Sequence, residues 1–316
     1  MRLVQSRRFQ PIVPDISTYL TLRQYFSTLY IMKINRVLPE KQPYLQIVGH
    51  IAKPPEKLHF IGILPERRLP SVAIVGTRKP TRYGKEVTHQ LAFELAKRGV
   101  VIVSGLALGV DGLAHQAALE AGGTTIAVLA NGLPDIYPAT HKSLAERIVK
   151  QGGAIISEYE PETQAWPNQF LERNRIVSGL ADAIIITEAA SKSGTLNTAM
   201  HALDQGKEVF VVPGNITSPM SSGCNALLKQ GASVVTSFED VLEVIAPELL
   251  RAQSSLALGS SPTETTIISL LQSGIRDGEE LQRQSGIEAS EFATALTMLE
   301  IAGTIRSLGA NQWTLK

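Results

Sequence analysis

Residues 170 to 199, FLERNRIVSGLADAIIITEAASKSGTLNTA, contain side chains that could hold a phosphate. Arg173 and Arg175 flank Asn174 in a predicted basic turn, and guanidinium groups bind phosphate oxygens in a bidentate manner. Downstream, Glu188 ends an apolar run, and the small polar loop 191–195 precedes a predicted helix. Such a loop lets backbone N–H groups approach an anion closely. The stretch therefore predicts a phosphate-binding site and leaves the identity of the phosphate compound open.

Seven apolar, β-branched runs in the middle of the chain predict the strands that position these side chains. Near-continuous apolarity is typical of strands buried on both faces of a parallel sheet. Helical patterns alternate with these runs, which predicts an α/β fold with a doubly wound, mostly parallel sheet. The predicted strands are 72–75, 100–103, 125–129, 154–156, 183–187, 208–212 and 233–235, and the predicted helices are 83–98, 112–121, 141–151, 195–205 and 223–230.

Glycine and small polar residues follow most of these strands, at the sheet edge where open α/β folds bind ligands. Arg78 comes directly after the first strand, where a functional role is favoured over a solvated surface position. Two other pairs of residues each allow a structural and a catalytic interpretation, and the sequence does not decide between them. Asp111 and His115 could be a helix cap and a partly buried histidine or a catalytic pair. Glu158 and Glu188 could be an acid/base pair or acceptors for backbone N–H groups.

Composition and charge exclude several classes of protein. With 44% hydrophobic and 19% charged residues, the 316-residue chain is typical of a globular protein, and no apolar run is long enough to span a bilayer. The N-terminus lacks the apolar region of a secretion signal. The single cysteine, Cys224, excludes an internal disulfide and a cysteine-cluster metal site. We expect a cytoplasmic protein without membrane contact, metal or cofactor.

The charge is unevenly distributed along the predicted domains. Residues 1–71 carry 11 Lys/Arg against 4 Asp/Glu, whereas residues 263–316 carry 4 against 7. The predicted organisation is a short basic segment at 1–43, with one possible helix at 18–34, an α/β domain at 44–245, a loose linker at 246–262 and a winged-helix-like module at 263–316. That module is predicted to contain helices 263–272, 277–284 and 289–302 and a small hairpin. Its third helix has no Lys or Arg, which favours contact with protein over contact with DNA.

Eight motifs, in this order, resemble those of the DNA-processing protein A family, also called Smf. They cover most of the chain from about residue 44 onward and, taken together, are highly specific. The motifs are VAIVGTR (72–78), SGLALGVDGLAH (104–115), AVLANGLPDIYP (127–138), ISEYEP (156–161), FLERNRIVSGLAD (170–182), EAASKSGTLNTA (188–199), VFVVPGN (209–215) and SSGCNALLKQGA (221–232). Leu171 departs from the proline that members usually have there, and Glu172 places an anion beside the two arginines.

The resemblance implies an extended Rossmann-like domain that binds single-stranded DNA without strong sequence preference. It also implies a homodimer that loads the recombinase RecA during natural transformation and recombination, and no enzymatic activity. In that role guanidinium groups bind the backbone phosphates, and an aromatic side chain stacks on a base. The candidate DNA-binding residues are Gly76, Thr77, Arg78, Ser104, Gly105, Phe170, Arg173, Asn174, Arg175, Ser193, Gly194 and Thr195.

Two alternatives remain at the level of sequence. A nucleotide-processing hydrolase of the lysine-decarboxylase-like group shares a related Rossmann-like fold, with a glutamate and a Gly-Gly-x-Gly-Thr loop. Here the corresponding loop reads Ser-Lys-Ser-Gly-Thr at 191–195 and lacks the double glycine. Alternatively, the winged-helix-like module reads DNA and the α/β domain serves as a scaffold.

Overall fold

The computed structural model describes residues 33–254 and 261–315. They fall into two compact units that divide between Ile245 and Ala246. Residues 1–32 of the predicted basic segment, and with them nearly all of the possible helix at 18–34, lie outside the described residues.

The first unit is built on one nine-stranded sheet. Seven strands run parallel, and β1 and β2 add an antiparallel edge, so that the order is β1-β2-β6-β5-β4-β3-β7-β8-β9. This order confirms the predicted doubly wound, mostly parallel sheet. The strands are β1 (Asn35–Val37), β2 (Leu58–Gly62), β3 (Ser71–Val75), β4 (Val101–Ser104), β5 (Thr125–Leu129), β6 (Ala154–Ser157), β7 (Ala183–Ile186), β8 (Glu208–Val211) and β9 (Ser233–Val234).

Helices cover both faces of this sheet, which is why every residue of β3 and β5 is buried. One core cluster joins alternate residues of the central strands to α4, α5 and α6, and a second lies between the other face and α3. The helices are α1 (Arg82–Lys97), α2 (Val110–Glu120), α3 (Lys142–Lys150), α4 (Pro167–Leu180), α5 (Thr195–Asp204), α6 (Ser222–Lys229) and α7 (Phe238–Ile245).

The sheet is wider than the sequence pattern predicts. Strand β1 lies ahead of the boundary predicted at residue 44, and β2 was not predicted at all. The first has only three residues, and the second contains His59 and ends in Gly62, so neither shows the long β-branched run of a central strand. Strand β2 pairs antiparallel with β6, which is distant in sequence, and β1 pairs antiparallel with β2, so both depend on this edge of the sheet.

The second unit comprises α8 (Pro247–Ser254), α9 (Pro262–Gln272), α10 (Gly278–Ser285), α11 (Ala289–Ile301) and a hairpin of β10 (Ile305–Gly309) with β11 (Gln312–Leu315). Three helices and the hairpin share a core that includes Ile267, Leu281, Phe292 and Ile305. Residues 247–254, predicted as loose linker, are helical, because Glu, Leu, Arg, Ala and Gln are strong helix formers. No helix in 33–254 or 261–315 is long and apolar enough to cross a bilayer.

Candidate functional site

A pocket opens at the carboxyl edge of the sheet, where the strand order reverses between β3 and β7. Ligands of open α/β folds bind at such a switch point. This switch-point pocket has a volume of about 250 Å³. It brings together most of the predicted site residues: Gly76 and Arg78 after β3, Gly105 after β4, Phe170, Arg173 and Asn174 on α4, and Ser193, Gly194 and Thr195 after β7.

The Arg-Asn-Arg segment is helical, and the predicted basic turn is wrong. Helix α4 begins at Pro167, where proline at the first turn costs no hydrogen bond, and Gln169 Oε1 accepts from Trp166 N at 2.6 Å. Arg173 and Arg175 are two positions apart, so a helix directs them to opposite faces. The result is one arginine at the pocket and one behind it.

Arg173 forms the back wall of the pocket and is only 4% exposed. Its Nη1 donates to the carbonyl oxygen of Gly105 at 2.6 Å and also to that of Val128. Burial lowers the pKa of Arg173 to about 10, opposed by attraction to Asp111. Its buried Nε has no partner among the described residues. The guanidinium thus ties α4 to the ends of two strands.

Gly105 is required for this packing. A Cβ at this position would lie 2.4 Å from Nη2 of Arg173 and 2.5 Å from its Cζ, closer than real Cβ contacts come. The strand-end backbone and the arginine therefore approach each other only because residue 105 has no side chain.

Asp111 supports the loop rather than acting as a free acid. Its Oδ2 accepts from the backbone nitrogens of Gly105 at 3.0 Å and Ala107 at 3.4 Å. Burial raises the pKa of Asp111, and attraction to Arg173 acts in the opposite direction. His115 is fully buried and its Nδ1 is 2.6 Å from Thr125 Oγ1. The two residues thus have separate partners, and nothing joins them as a catalytic pair.

Arg78 differs from Arg173 in being exposed at the mouth of the pocket. Its Cζ lies 5.5 Å from the ring centroid of Phe170, within cation–π range, and it forms no ion pair with any residue the structure describes. The Phe170 ring in turn meets Tyr137 edge-on, at 5.5 Å between centroids. An unpaired guanidinium thus stands beside two aromatic rings.

A shallow groove, the aromatic shelf, continues from the pocket over Tyr137, Phe170, Leu108 and Pro138, with a volume of about 50 Å³. Tyr137 is 49% exposed and was not among the predicted site residues. The sequence could have indicated Tyr137, because it lies in the segment after β5, at the same edge of the sheet as the other predicted site loops.

Three predicted residues lie outside the pocket. Arg175 pairs with Glu158 at 2.6 Å, and Ser104 Oγ donates to the carbonyl oxygen of Ile74 at 2.7 Å. Thr77 N donates to the carbonyl oxygen of Glu188 at 2.8 Å. All three hold neighbouring elements together behind or beside the pocket.

The two glutamates considered as an acid/base pair have separate structural partners. Glu188 is 2% exposed, and its carboxylate accepts from Thr81 N at 2.8 Å and Thr81 Oγ1 at 2.7 Å. Glu158 is engaged with Arg175. In the loop after β7, Ser193 Oγ and Thr195 Oγ1 lie 3.0 Å apart, which shapes the entrance to α5. The pocket can therefore hold a phosphate, and the shelf beside it can stack a base.

Comparisons with known proteins identify the family of this chain. The family model described as DNA recombination-mediator protein A matches residues 35–246, and the model of the DprA winged helix domain matches residues 251–311. The DNA processing protein DprA of Bacillus subtilis is 46% identical over 172 residues, which are 54% of this chain and 58% of that protein. The chain thus spans less than two thirds of that relative's length.

Two solved structures are similar to this chain. One describes the single-stranded DNA binding mode of DNA processing protein A from Helicobacter pylori, with 35% identity, a TM-score of 0.61, and coverage of 69% of this chain and 97% of that one. The other is DprA from Streptococcus pneumoniae, with 34% identity, a TM-score of 0.62, and coverage of 73% and 81%. The chain therefore belongs to the DNA recombination-mediator protein A family, with a DprA winged helix domain following its α/β domain.

Proposed function

We propose that this protein binds single-stranded DNA at the switch-point pocket and the aromatic shelf, without strong sequence preference. The observation that carries the proposal is Arg78, an exposed and unpaired guanidinium beside the ring of Phe170. Phosphate contacts carry no sequence information, and every base has a π-face to stack. The similar Helicobacter pylori structure describes single-stranded DNA binding by that protein, which supports the same ligand here.

The candidate residues divide into those that contact the strand and those that position the contacting groups. Arg78 and the loop Ser193-Gly194-Thr195 face the strand directly, together with Asn174, and Phe170 stacks a base. Gly76 and Gly105 also line the pocket, and their lack of a side chain makes room for Val110 and Arg173. Thr77, Ser104, Arg173 and Arg175 position these groups from behind.

The family supports a larger role for the whole protein. We infer a recombination mediator that loads RecA onto incoming strands in the cytoplasm and acts as a homodimer, without catalysis of its own. Helix α5 offers one surface for self-association, because Met200 and Leu203 lie on one helical face and are 55% and 52% exposed. Two linked copies would raise the apparent affinity for one strand by avidity.

The hydrolase alternative has less support from the geometry. Such an enzyme needs a carboxylate aimed at the bound nucleotide. Glu188 is not among the residues lining the switch-point pocket, and its oxygens are already bonded to Thr81. Asp111 does line the pocket, but its Oδ2 accepts two backbone N–H groups.

Substitution of Arg78 tests the proposal. A fluorescence titration with oligo-dT at several salt concentrations should show weaker binding for Arg78→Ala, because one phosphate contact is lost. The slope of log affinity against log salt should flatten by about 0.7 to 1. Arg67→Ala is the matched control, since Arg67 is also exposed but precedes β3 at the opposite edge of the sheet. Equal affinity and slope for Arg78→Ala and the wild type would remove Arg78 from the site.

A further inference from the structure

We propose that the DNA strand continues past Arg78 over the first turn of α1 and places a second base in a cavity walled by Tyr83. This inference depends on the proposed function, because it extends the path of the same strand. It assigns a nucleobase subsite, flanked by phosphate contacts, to the part of the sheet edge beyond β7.

The Tyr83 cavity has a volume of about 380 Å³ and is lined by Tyr83, Pro213, Asn215 and Ser218, with Thr81 and Glu188 at one side. It lies at the carboxyl ends of β7 and β8, one step along the sheet from the switch-point pocket. A single segment, made of the loop after β3 and the first turn of α1, borders both cavities. Its first part, with Gly76 and Arg78, lines the switch-point pocket, and Thr81 and Tyr83 line the Tyr83 cavity.

Tyr83 is suited to stack a base. Its side chain is 46% exposed, and its hydroxyl donates to the carbonyl oxygen of Pro213 at 2.9 Å, which fixes the ring. A further cavity of about 380 Å³ is lined by the same two residues, so open space extends around the ring. A fixed, accessible aromatic face loses little conformational entropy when a base stacks on it.

Asn215 gives this cavity a hydrogen-bond donor. Its Oδ1 accepts from Thr217 N at 3.0 Å and Thr217 Oγ1 at 2.9 Å. The side-chain nitrogen, Nδ2, takes no part in these bonds and has no hydrogen-bond partner among the residues that the structure describes. A carbonyl group on a base edge matches this donor.

Two cations just ahead of Tyr83 in the chain have no assigned role. Lys79 and Arg82 are exposed, and neither forms an ion pair within the described part of the chain. The first turn of α1 contains no acidic residue. In contrast, the carboxylate of Glu188 lies at the cavity itself. A phosphate would be repelled there, so the base enters the cavity and its phosphates face the cations.

The length dependence of binding tests this path. Oligo-dT of about 4 and about 16 nucleotides spans the ordinary range of single-strand site sizes. The double variant Lys79→Ala/Arg82→Ala should weaken binding of the long oligonucleotide at least about fivefold and leave the short one unchanged. Lys97→Ala is the matched control, because Lys97 is an exposed lysine at the other end of the same helix. Tyr83→Leu should behave like the double variant, whereas Tyr83→Phe, which keeps the ring, should bind nearly as the wild type does.

Photo-crosslinking gives a second measurement that does not depend on how the variants fold. A long oligo-dT carrying 5-iodouracil at successive positions should crosslink the wild-type protein at Tyr83. The inference would be overturned if no position gave that crosslink, or if the double variant lost the same affinity for both lengths. The proposed function would stand in either case, provided that Arg78→Ala still weakens binding. If Arg78→Ala changes the affinity for neither the short nor the long oligonucleotide, the proposed function is contradicted, and the extended path is contradicted with it.

Discussion

Arg78 and Arg173 show how burial gives one residue type two different roles at the same pocket. Arg78 is exposed and without an ion pair among the described residues, so its hydrogen-bond donors are available to a ligand. Arg173 is buried, and its Nη1 is bonded to two carbonyl oxygens. The first is available to bind a phosphate, and the second maintains the wall of the pocket in which we propose that the phosphate binds.

Gly105 sets the space available to that wall. Gly105→Ala should lower stability by about 1–3 kcal/mol, because its Cβ would overlap the Arg173 guanidinium. Gly194→Ala is the control, since a Cβ there meets nothing within 4 Å and its φ is −61°. Thermal and urea unfolding of both variants measure the effect. Similar unfolding for the two would show that the guanidinium has room to move aside.

His115 should make the folded protein sensitive to acid. Burial lowers the pKa of His115 to about 3, and the nearby charges of His141 and Arg173 act in the same direction. An unfolded histidine titrates near 6.5, so the unfolded chain gains a proton first as the pH falls. The stability that His115 contributes is complete above about pH 6.5 and is lost progressively toward pH 3, by about 1.4 kcal/mol per pH unit.

The corresponding measurement is urea unfolding of the wild type and His115→Asn between about pH 7 and pH 4. Asparagine keeps a polar group near Thr125 but does not titrate, so the variant should show a shallower decline in unfolding free energy. Parallel declines in the two proteins would contradict the assignment of this titration to His115.

At the level of elements, helix α4 is the part that connects the site to the core. Its face toward the sheet carries buried Ile176 and Val177, while Phe170, Arg173 and Asn174 reach the pocket from its first turns. The same helix is held at its back by the Arg175–Glu158 pair at 2.6 Å. A rigid helix therefore fixes the spacing between the aromatic ring and the pocket wall.

Removing the guanidinium of Arg173 should destabilise this connection. In Arg173→Met the carboxylate of Asp111 stays buried without its nearby positive charge, which costs about 3–5 kcal/mol at neutral pH. The pKa of Asp111, already raised by burial, should rise further. Because a raised carboxylate pKa favours the folded state only where the group is protonated, the loss should be smaller at about pH 5 than at pH 7.

A double-variant cycle measures this coupling. Adding Asp111→Asn to Arg173→Met should restore part of the lost unfolding free energy, since no buried charge is left unpaired. Strictly additive losses for the two substitutions would mean that Asp111 and Arg173 do not interact.

At the scale of the whole molecule, the two units each have a core of their own. The outward face of α11 in the second unit carries Glu291, Thr294, Thr297, Met298 and Ile301. A helix without cations is poorly suited to the phosphates of DNA, and exposed Met298 and Ile301 fit a protein partner better.

Deletion of residues 246–316 should therefore leave affinity for oligo-dT within about threefold of the full chain, because the proposed contacts all lie in the first unit. The same fluorescence titration measures it, with circular dichroism to show that the shortened chain is folded. A loss of affinity comparable to that of Arg78→Ala would favour the winged helix domain as the DNA reader.

The order of the parallel strands and of five helices in the first unit was predictable because each of these carries a strong local pattern, whereas α4 and α7 were not among the predicted helices. All seven parallel strands follow apolar, β-branched runs, and the predicted helices end within about two residues of their observed limits. Small residues at the strand ends also pointed to one edge of the sheet, since parallel strands bring their carboxyl ends together. The resemblance of eight motifs to those of the DNA-processing protein A family then identified the family.

The individual roles of the arginines depended on long-range packing. Arg173 is held by Gly105 and Val128, and Arg175 is held by Glu158, partners that are distant in sequence and meet these side chains only in the folded sheet. Arg78 has no such partner among the described residues. The antiparallel strand β2 likewise exists because β6 offers it an edge. Local sequence determines the periodicity and the types of side chain, so the residues at this edge of the sheet could be predicted from the sequence. Burial and charge pairing arise from contacts between distant parts of the chain. Only the tertiary structure therefore decides which of these residues are free to contact a ligand and which hold the pocket together.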